Sequence, residues 1–308
     1  MILIISDKSD KHADRVESIL RQKGAEYSRL NLDVDSLKCT QVKFENNAFK
    51  IEGPNCCFTT SEIETVYNRG TRLEQLVEND HPQLEDYFIW KEVWNKTLEK
   101  LFSSLESTKW LNFYQDFYDE SQFRHYAISK NVGLKWPSSI CTNDINYLNS
   151  FFESRKDRVL ELMNQNCQMK SAGECFVKCG DMVGTAFMDN LPANSCMAAF
   201  TTHQVRCTVV GKEYFVGKRK QSINCTCPDN DTSASINEVV QPPAAIKVRA
   251  IQIMTELNLT HGVFDFIVTD DGDWYFDALN PIGQYEWTED IQGSDISSSI
   301  AKWLMIHN

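Results

Sequence analysis

The sequence predicts an α/β protein with α+β lobes: an N-terminal α/β domain over residues 1–120, then lobes over 121–200 and 201–308. Three observations carry this. The apolar opening "MILIIS" runs into the amphipathic stretch "DKHADRVESILRQKG", a strand followed by a helix. A "TND" signal at 142–144 caps a second helical region. Near the C-terminus, "GVFDFIVTDDGDWYFDALNPIGQYEW" (262–287) sets two apolar runs about an acidic, Gly-containing turn, as in a β-hairpin. Strands and helices alternating in this way build layered domains.

In the first unit, Val16, Ile19 and Leu20 share one face of the opening helix, which Gly24 ends. "QVKFENNAFKIEG" alternates about Asn46-Asn47 and reads as a hairpin, while "ETVYNRG" reads as a buried strand ending in a turn. From Gln83 to Ser107 an aromatic-rich segment predicts a helix with Phe88, Val93, Trp94 and Leu98 near one stripe. The unit closes near "WLNFYQDF".

The second unit opens with a helix ending at Gly133 and a strand in "KWPSSICT". Asn143-Asp144 then caps a helix over "INYLNSFFESRKDRVLELM", and short strands follow in "CQMKS", "CFVKC" and "TAFMD". "QVRCTVVGKEYFVGKRKQ" is a hairpin turning at Gly211-Lys212, "PDNDTSAS" a polar loop, and "AAIKVRAIQIMTELNL" a helix with Ile246, Ala250 and Ile253 in register.

Composition excludes several classes. Forty-three acidic against 31 basic residues, a net charge of −12, leave no basic footprint for nucleic acid. No apolar run approaches the ~20 residues that cross a bilayer. The opening also lacks the basic region and long apolar core of a signal peptide, so a cytoplasmic protein with no membrane partner is expected. Eleven cysteines, odd in number and without paired CxxC knuckles, predict reduced thiols.

Charged residues inside strand-like runs point to chemistry. Side chains alternate along a strand, so Asp265 and Asn280 can look into one cleft from neighbouring strands. Two oxygen donors suit a hard divalent cation that leaves its other positions to water and phosphates. Lys170, Lys178 and Arg206 lie in strand-like segments upstream. A lone strand lysine is ordinarily a solvated side chain with a packed stem, whereas an unpaired buried carboxylate is expensive. The order Lys, Arg, Asp, Asn is what favours a joint site.

The ordered features "GLKWPSSICTND", a central-strand Lys, "QVRCTVVGKEYFVGK", "GVFDFIVTDDGDWYF" and "LNPIGQYEW" resemble the ATP-grasp peptide maturases that make graspetides, the microviridin-type omega-ester and omega-amide peptides. "MILIIS", "VYNRG" and "WLN" resemble that family's N-terminal domain. The resemblance implies an ATP-grasp fold with ATP and Mg2+ between a central and a C-terminal lobe. It implies a ligase that phosphorylates Asp or Glu side chains of a ribosomal precursor peptide, with a leader and an acidic, Thr-rich core, and closes them onto Thr, Ser or Lys. By the same resemblance Lys170, with Lys178 as second choice, binds phosphate, Arg206 stabilises the transferring phosphoryl group, Asp265 and Asn280 hold magnesium, and Arg69 faces the acidic peptide. The leader is expected on the central lobe, between residues 145 and 235, and a homodimer is one option for the assembly.

The sequence also departs from the family pattern. Ala278 stands where the family has a metal-binding Glu, two residues before the Asn, and by strict alternation Asp277 points to the opposite face. Gln204 replaces a Glu, and "CMAAFT" occupies 196–201 in place of acidic or amide hinge contacts. Beside the maturase stands a RimK-like carboxylate–amine ligase, and these changes add the alternative of an impaired homologue that only binds nucleotide or peptide. They also predict that Ala278→Glu raises turnover by roughly tenfold or more.

Overall fold

The computed structural model describes residues 1–69, 84–113, 122–136, 139–142, 144, 147, 150, 159–161, 176–178, 194–197, 203–220, 237–269, 271–292, 295–306 and 308. The chain opens with β1 (Ile2–Ser6), α1 (Lys11–Gln22) and β2 (Tyr27–Asn31). Helix α1 starts because the Asp10 carboxylate accepts the Ala13 N–H at 2.9 Å, and it stops before Gly24, whose φ of +68° favours glycine. A short α2 (Val34–Lys38) leads to a three-stranded meander, β3 (Gln41–Glu45), β4 (Ala48–Gly53) and β5 (Cys56–Thr59). The hairpin expected at Asn46-Asn47 is present: both residues have positive φ, 52° and 61°, and Glu45 pairs with Ala48 across the turn.

β6 (Thr65–Asn68), α3 (Leu84–Ser103) and β7 (Lys109–Trp110) complete the unit, whose parallel sheet runs β2-β1-β6-β7. β1 is buried along its whole length because both faces of this sheet are covered. Leu3 and Ile5 enter one core with Leu98, Leu101, Phe102 and Trp110, while Ile2 and Ile4 enter a second with Val16 and Leu20 of α1. The stripe expected on α3 needs correction. Leu98, Leu101 and Phe102 form the buried face and Trp94 packs against it, but Phe88 and Val93 are 56% and 58% exposed. The core takes the helix from Trp90 onward and most deeply in its last turns, where Trp110 of β7 and Leu3 and Ile5 of β1 share the cluster.

α4 (Gln122–Asn131) ends at Gly133, whose φ is +78°. Then β8 (Ser139–Thr142), β9 (Val159–Glu161), β10 (Phe176–Lys178) and β11 (Asn194–Met197) form an antiparallel sheet in the order β10-β9-β11-β8. Asp144 caps as expected, accepting the Tyr147 N–H at 3.3 Å. The helix expected through residue 163, however, gives way to β9. Val159–Glu161 pair on both sides, with β10 and β11, and cross-strand pairing outweighs a helical period. The "TAFMD" strand, the "PDNDTSAS" loop and Lys170 lie outside the described residues.

β12 (His203–Val210), β13 (Glu213–Lys220), β14 (Asn237–Val239), α5 (Ala244–Glu256), β15 (His261–Val268) and β16 (Trp274–Asn280) follow. The strands form one antiparallel sheet, β14-β13-β12-β15-β16, so both expected hairpins exist and share the β12–β15 seam. Ile246, Ala250 and Ile253 of α5 are buried as expected, over Phe264, Phe266, Phe276 and Leu279. Two last helices, α6 (Glu286–Gln292) and α7 (Ile296–Ile306), lie beyond the elements expected from the sequence. Ile296, Ile300 and Leu304 join Ile2, Ile4, Val16, Val210 and Val263 in one core, so the C-terminus is packed against the N-terminal sheet. No helix of the described residues is long and apolar enough to cross a membrane.

Candidate nucleotide and metal site

Three adjacent strands deliver one row of side chains. Arg206 on β12 pairs directly with Asp265 on β15, and Asp265 pairs with Ala278 on β16. The guanidinium grips the carboxylate at two points, Nε to Oδ1 at 2.8 Å and Nη2 to Oδ2 at 3.0 Å. Its Nη1 donates to the Gln284 carbonyl at 2.8 Å, and the cation lies 5.4 Å from the Trp287 ring centre. A fork with two oxygens, a carbonyl and an aromatic face is a site for arginine and not for lysine.

Asn280 lies two residues along β16 from Ala278 and pairs with Val263, itself two residues from Asp265. Asp265, Ala278 and Asn280 thus share a face. The Asn280 Oδ1 accepts the Ile282 N–H at 3.0 Å, which turns the chain immediately after the strand. Gly283 must stay small, since a Cβ there would lie 2.7 Å from the Val263 Cβ.

The ladder slips next to Asp265. Asp265 opposes Ala278 but Phe266 opposes Phe276, so Asp277 is an extra residue on β16, a β-bulge. This corrects the expectation that Asp277 turns away from position 278. Phe276 and Leu279 both enter the core beneath α5 although three residues apart. Asp277 alternates off the core after Phe276, and Ala278 alternates off it before Leu279, so both reach the face that carries Asp265. Both are half-buried.

Behind this row the N-terminal unit fixes the loop after β16. Arg69 follows β6 directly and its side chain is 5% exposed; its Nε donates to Asp10 Oδ2 at 3.0 Å and its Nη1 to the Ile282 carbonyl at 2.8 Å. Asp10 is the residue that caps α1, so one ion pair ties helix, strand and site loop together. Burial works to raise the Asp10 pKa, yet Arg69 and the Ala13 N–H bring it below its ordinary value. Arg69 therefore turns toward the backbone of the site loop.

Asn112, from "WLN", is 3% exposed and uses its whole amide. Its Oδ1 accepts the Thr260 and His261 N–H groups at 2.9 Å each, and its Nδ2 donates to His261 O at 2.8 Å and Pro281 O at 3.1 Å. It clamps the start of β15 to the end of β16, which holds the Asp265–Asn280 face in register. Tyr285 is fully buried, tilted against His12 at 4.3 Å, with its hydroxyl 3.4 Å from that of Tyr67. The sequence singles out "WLN" and "GQYEW" without revealing that their Asn and Tyr are buried joints.

Lys178 ends β10, opposite Val159, and Lys170 lies outside the described residues. The structure thus brings Arg206, Asp265 and Asn280 together and places Arg69 behind them. Among the described residues no three His, Cys, Asp or Glu side chains form a metal cage. A donor set of a few carboxylate and amide oxygens on an open sheet face fits magnesium, which takes few protein ligands, better than zinc or calcium.

No family model and no curated protein sequence matches the chain. Solved structures do. The macrocyclase MdnC bound with precursor peptide MdnA, from Microcystis aeruginosa MRC, superposes with a TM-score of 0.82 at 18% identity, over 99% of each chain. A RiPP-associated ATP-grasp ligase of Chryseobacterium gregarium, in complex with ADP and a leader and core peptide, gives 0.80 at 21% identity, over 100% of this chain and 97% of that one. The ATP-grasp ligase PsnB, complexed with a minimal precursor, Mg and ADP, gives 0.77 at 16%, over 99% and 96%. The chain has the ATP-grasp fold from end to end.

Proposed function

We propose that this protein is an ATP-dependent, magnesium-using ligase that activates Asp or Glu side chains of a ribosomal precursor peptide and closes them onto Thr, Ser or Lys side chains as esters or amides. The observation that carries the reading is the row Arg206–Asp265–Ala278 with Asn280 on the same face, in a fold shared end to end with ligases that carry nucleotide, Mg and precursor peptide. Phosphoryl transfer depends chiefly on positioning and on cations at the transferring oxygens.

Asp265 and Asn280 would hold magnesium, which would supply neutralisation of phosphate charge when nucleotide is bound. Arg206 releases part of its grip on Asp265 as it takes up charge on the phosphoryl oxygens, while the Gln284 carbonyl and the Trp287 ring keep its guanidinium at the site. Lys170 or Lys178 binds phosphate from the central lobe, and Arg69 fixes the site loop from behind. The leader of the peptide docks on the central lobe between residues 145 and 235, and the setting is cytoplasmic.

The test is mass spectrometry of an acidic, Thr-containing precursor peptide incubated with ATP and Mg2+: the peptide should lose one water per ring closed. Nucleotide affinity of Lys170→Met and Lys178→Met assigns the phosphate lysine. The one that binds should lose roughly 1.5–3 kcal/mol, the usual worth of a charge-assisted hydrogen bond. Ala278 favours a second reading, a homologue that binds ATP and peptide without joining them, and intact peptide in the presence of tight nucleotide binding would select it.

A further inference from the structure

We infer that Asp277, the bulge residue of β16, supplies the carboxylate that Ala278 cannot, and so serves as a metal-positioning residue of the site. The inference rests on the nucleotide–magnesium reading above and goes beyond it in naming a residue that strict alternation assigns to the wrong face.

Four observations support it. The slip between Asp265 and Phe266 leaves Asp277 and Ala278 together opposite Asp265, so a side chain at either position stands beside that carboxylate. Phe276 and Leu279 are committed to the core, which turns the two residues between them to the other face. Asp277 is half-buried and one of its carboxylate oxygens is fully shielded, which is the setting of a fixed side chain and not of a solvated surface acid. It already has a polar or electrostatic neighbour, much as Asp265 has Arg206, and both would exchange such contacts for the metal. Bulges commonly sit next to active sites, where they re-aim a side chain.

The substitution pattern then makes physical sense. One carboxylate beside Asp265 would complete a set of few protein ligands for magnesium, and two in adjacent positions would repel each other. Ala278 leaves room for the Asp277 carboxylate to reach inward. It follows that Ala278→Glu in the otherwise unchanged chain gains little, in place of the tenfold rise expected from alternation alone.

The experiment titrates Mn2+ into the full chain saturated with ADP, following free Mn2+ by electron paramagnetic resonance, and separately measures ADP affinity in EDTA. Asp277→Asn is nearly isosteric. It should weaken Mn2+ tenfold or more in the ADP complex while leaving metal-free ADP affinity and the melting temperature within error. Adding Ala278→Glu to Asp277→Asn should restore most of the loss, and Asp277→Ser should behave like Asp277→Asn. Mn2+ binding to Asp277→Asn that equals the parent, or a double variant without recovery, overturns the inference and leaves the ligase reading standing. Failure of the parent chain to bind Mn2+–ADP at all overturns both.

Discussion

Arg206 and Asp265 face each other across β12 and β15 in a two-point ion pair, at 2.8 and 3.0 Å, with both side chains largely shielded from solvent. The proposed magnesium ligand is therefore held by the proposed phosphoryl-stabilising cation. If those proposed roles hold, loading of metal–nucleotide redistributes that pair and couples the two roles.

Arg206→Lys keeps the charge but loses the fork that spans both oxygens of Asp265 and the Gln284 carbonyl. Peptide turnover should fall by on the order of 100-fold, since one misplaced stabilising donor costs about 2.7–4 kcal/mol in an activated site. Arg206→Met should in addition lower stability by roughly 1–3 kcal/mol, because Asp265 is left shielded and unmatched. Turnover by mass spectrometry and urea denaturation check the two parts; an Arg206→Lys enzyme of full activity would contradict the assigned role.

Asn112→Ala removes four buried hydrogen bonds at once and leaves the Thr260 and His261 N–H groups without acceptors. We expect a loss of about 3 kcal/mol or more. The clamp also sets the register of the proposed metal-ligand face, so residual folded protein should bind metal–nucleotide less tightly. Urea midpoints combined with calorimetry measure both.

Gly283→Ala brings a Cβ within 2.7 Å of the Val263 Cβ and 3.2 Å of the Asn280 Cβ. Backbone must yield, at a cost of roughly 1–3 kcal/mol typical of overpacking. The strain falls on Asn280 itself, so metal affinity should drop more than metal-free nucleotide affinity. Equal losses of the two would place the damage elsewhere.

Acid should loosen the joint between the N-terminal unit and the site loop. His12 is held to a pKa of about 4 and His261 to about 3, by burial first and by the Arg69 charge next. Both values lie below 6.5, so the unfolded chain takes up protons first as pH falls. Their stabilisation is complete above about pH 6.5 and drains as pH drops toward 4 and 3. For His12 the loss by pH 4 is up to about 3 kcal/mol, at 1.36 kcal/mol per pKa unit. The lowered Asp10 pKa acts with the same sign, its contribution going as that carboxylate is protonated. Denaturation profiles at pH 7 and 4.5, with His12→Gln flattening the difference, test the assignment.

Sequence alone determined the elements whose signals are local. Alternation and turn chemistry gave the Asn46-Asn47 hairpin and the β12–β13 and β15–β16 hairpins, apolar periodicity and Gly24 gave α1 and its end, and Asp144 was legible as a capping residue. Strand alternation also put Asp265 and Asn280 on one face. What needed tertiary structure was whatever depends on a partner distant in sequence. Val159–Glu161 became a strand because two neighbours paired with it, and the apolar stripe of α3 was chosen by the sheet beneath it. Arg69 turned inward because Ile282 and Asp10 lie behind it. The bulge at Asp277 decided the face of a carboxylate, since a single extra residue inverts a two-residue period and only the pairing with β15 shows where that residue sits.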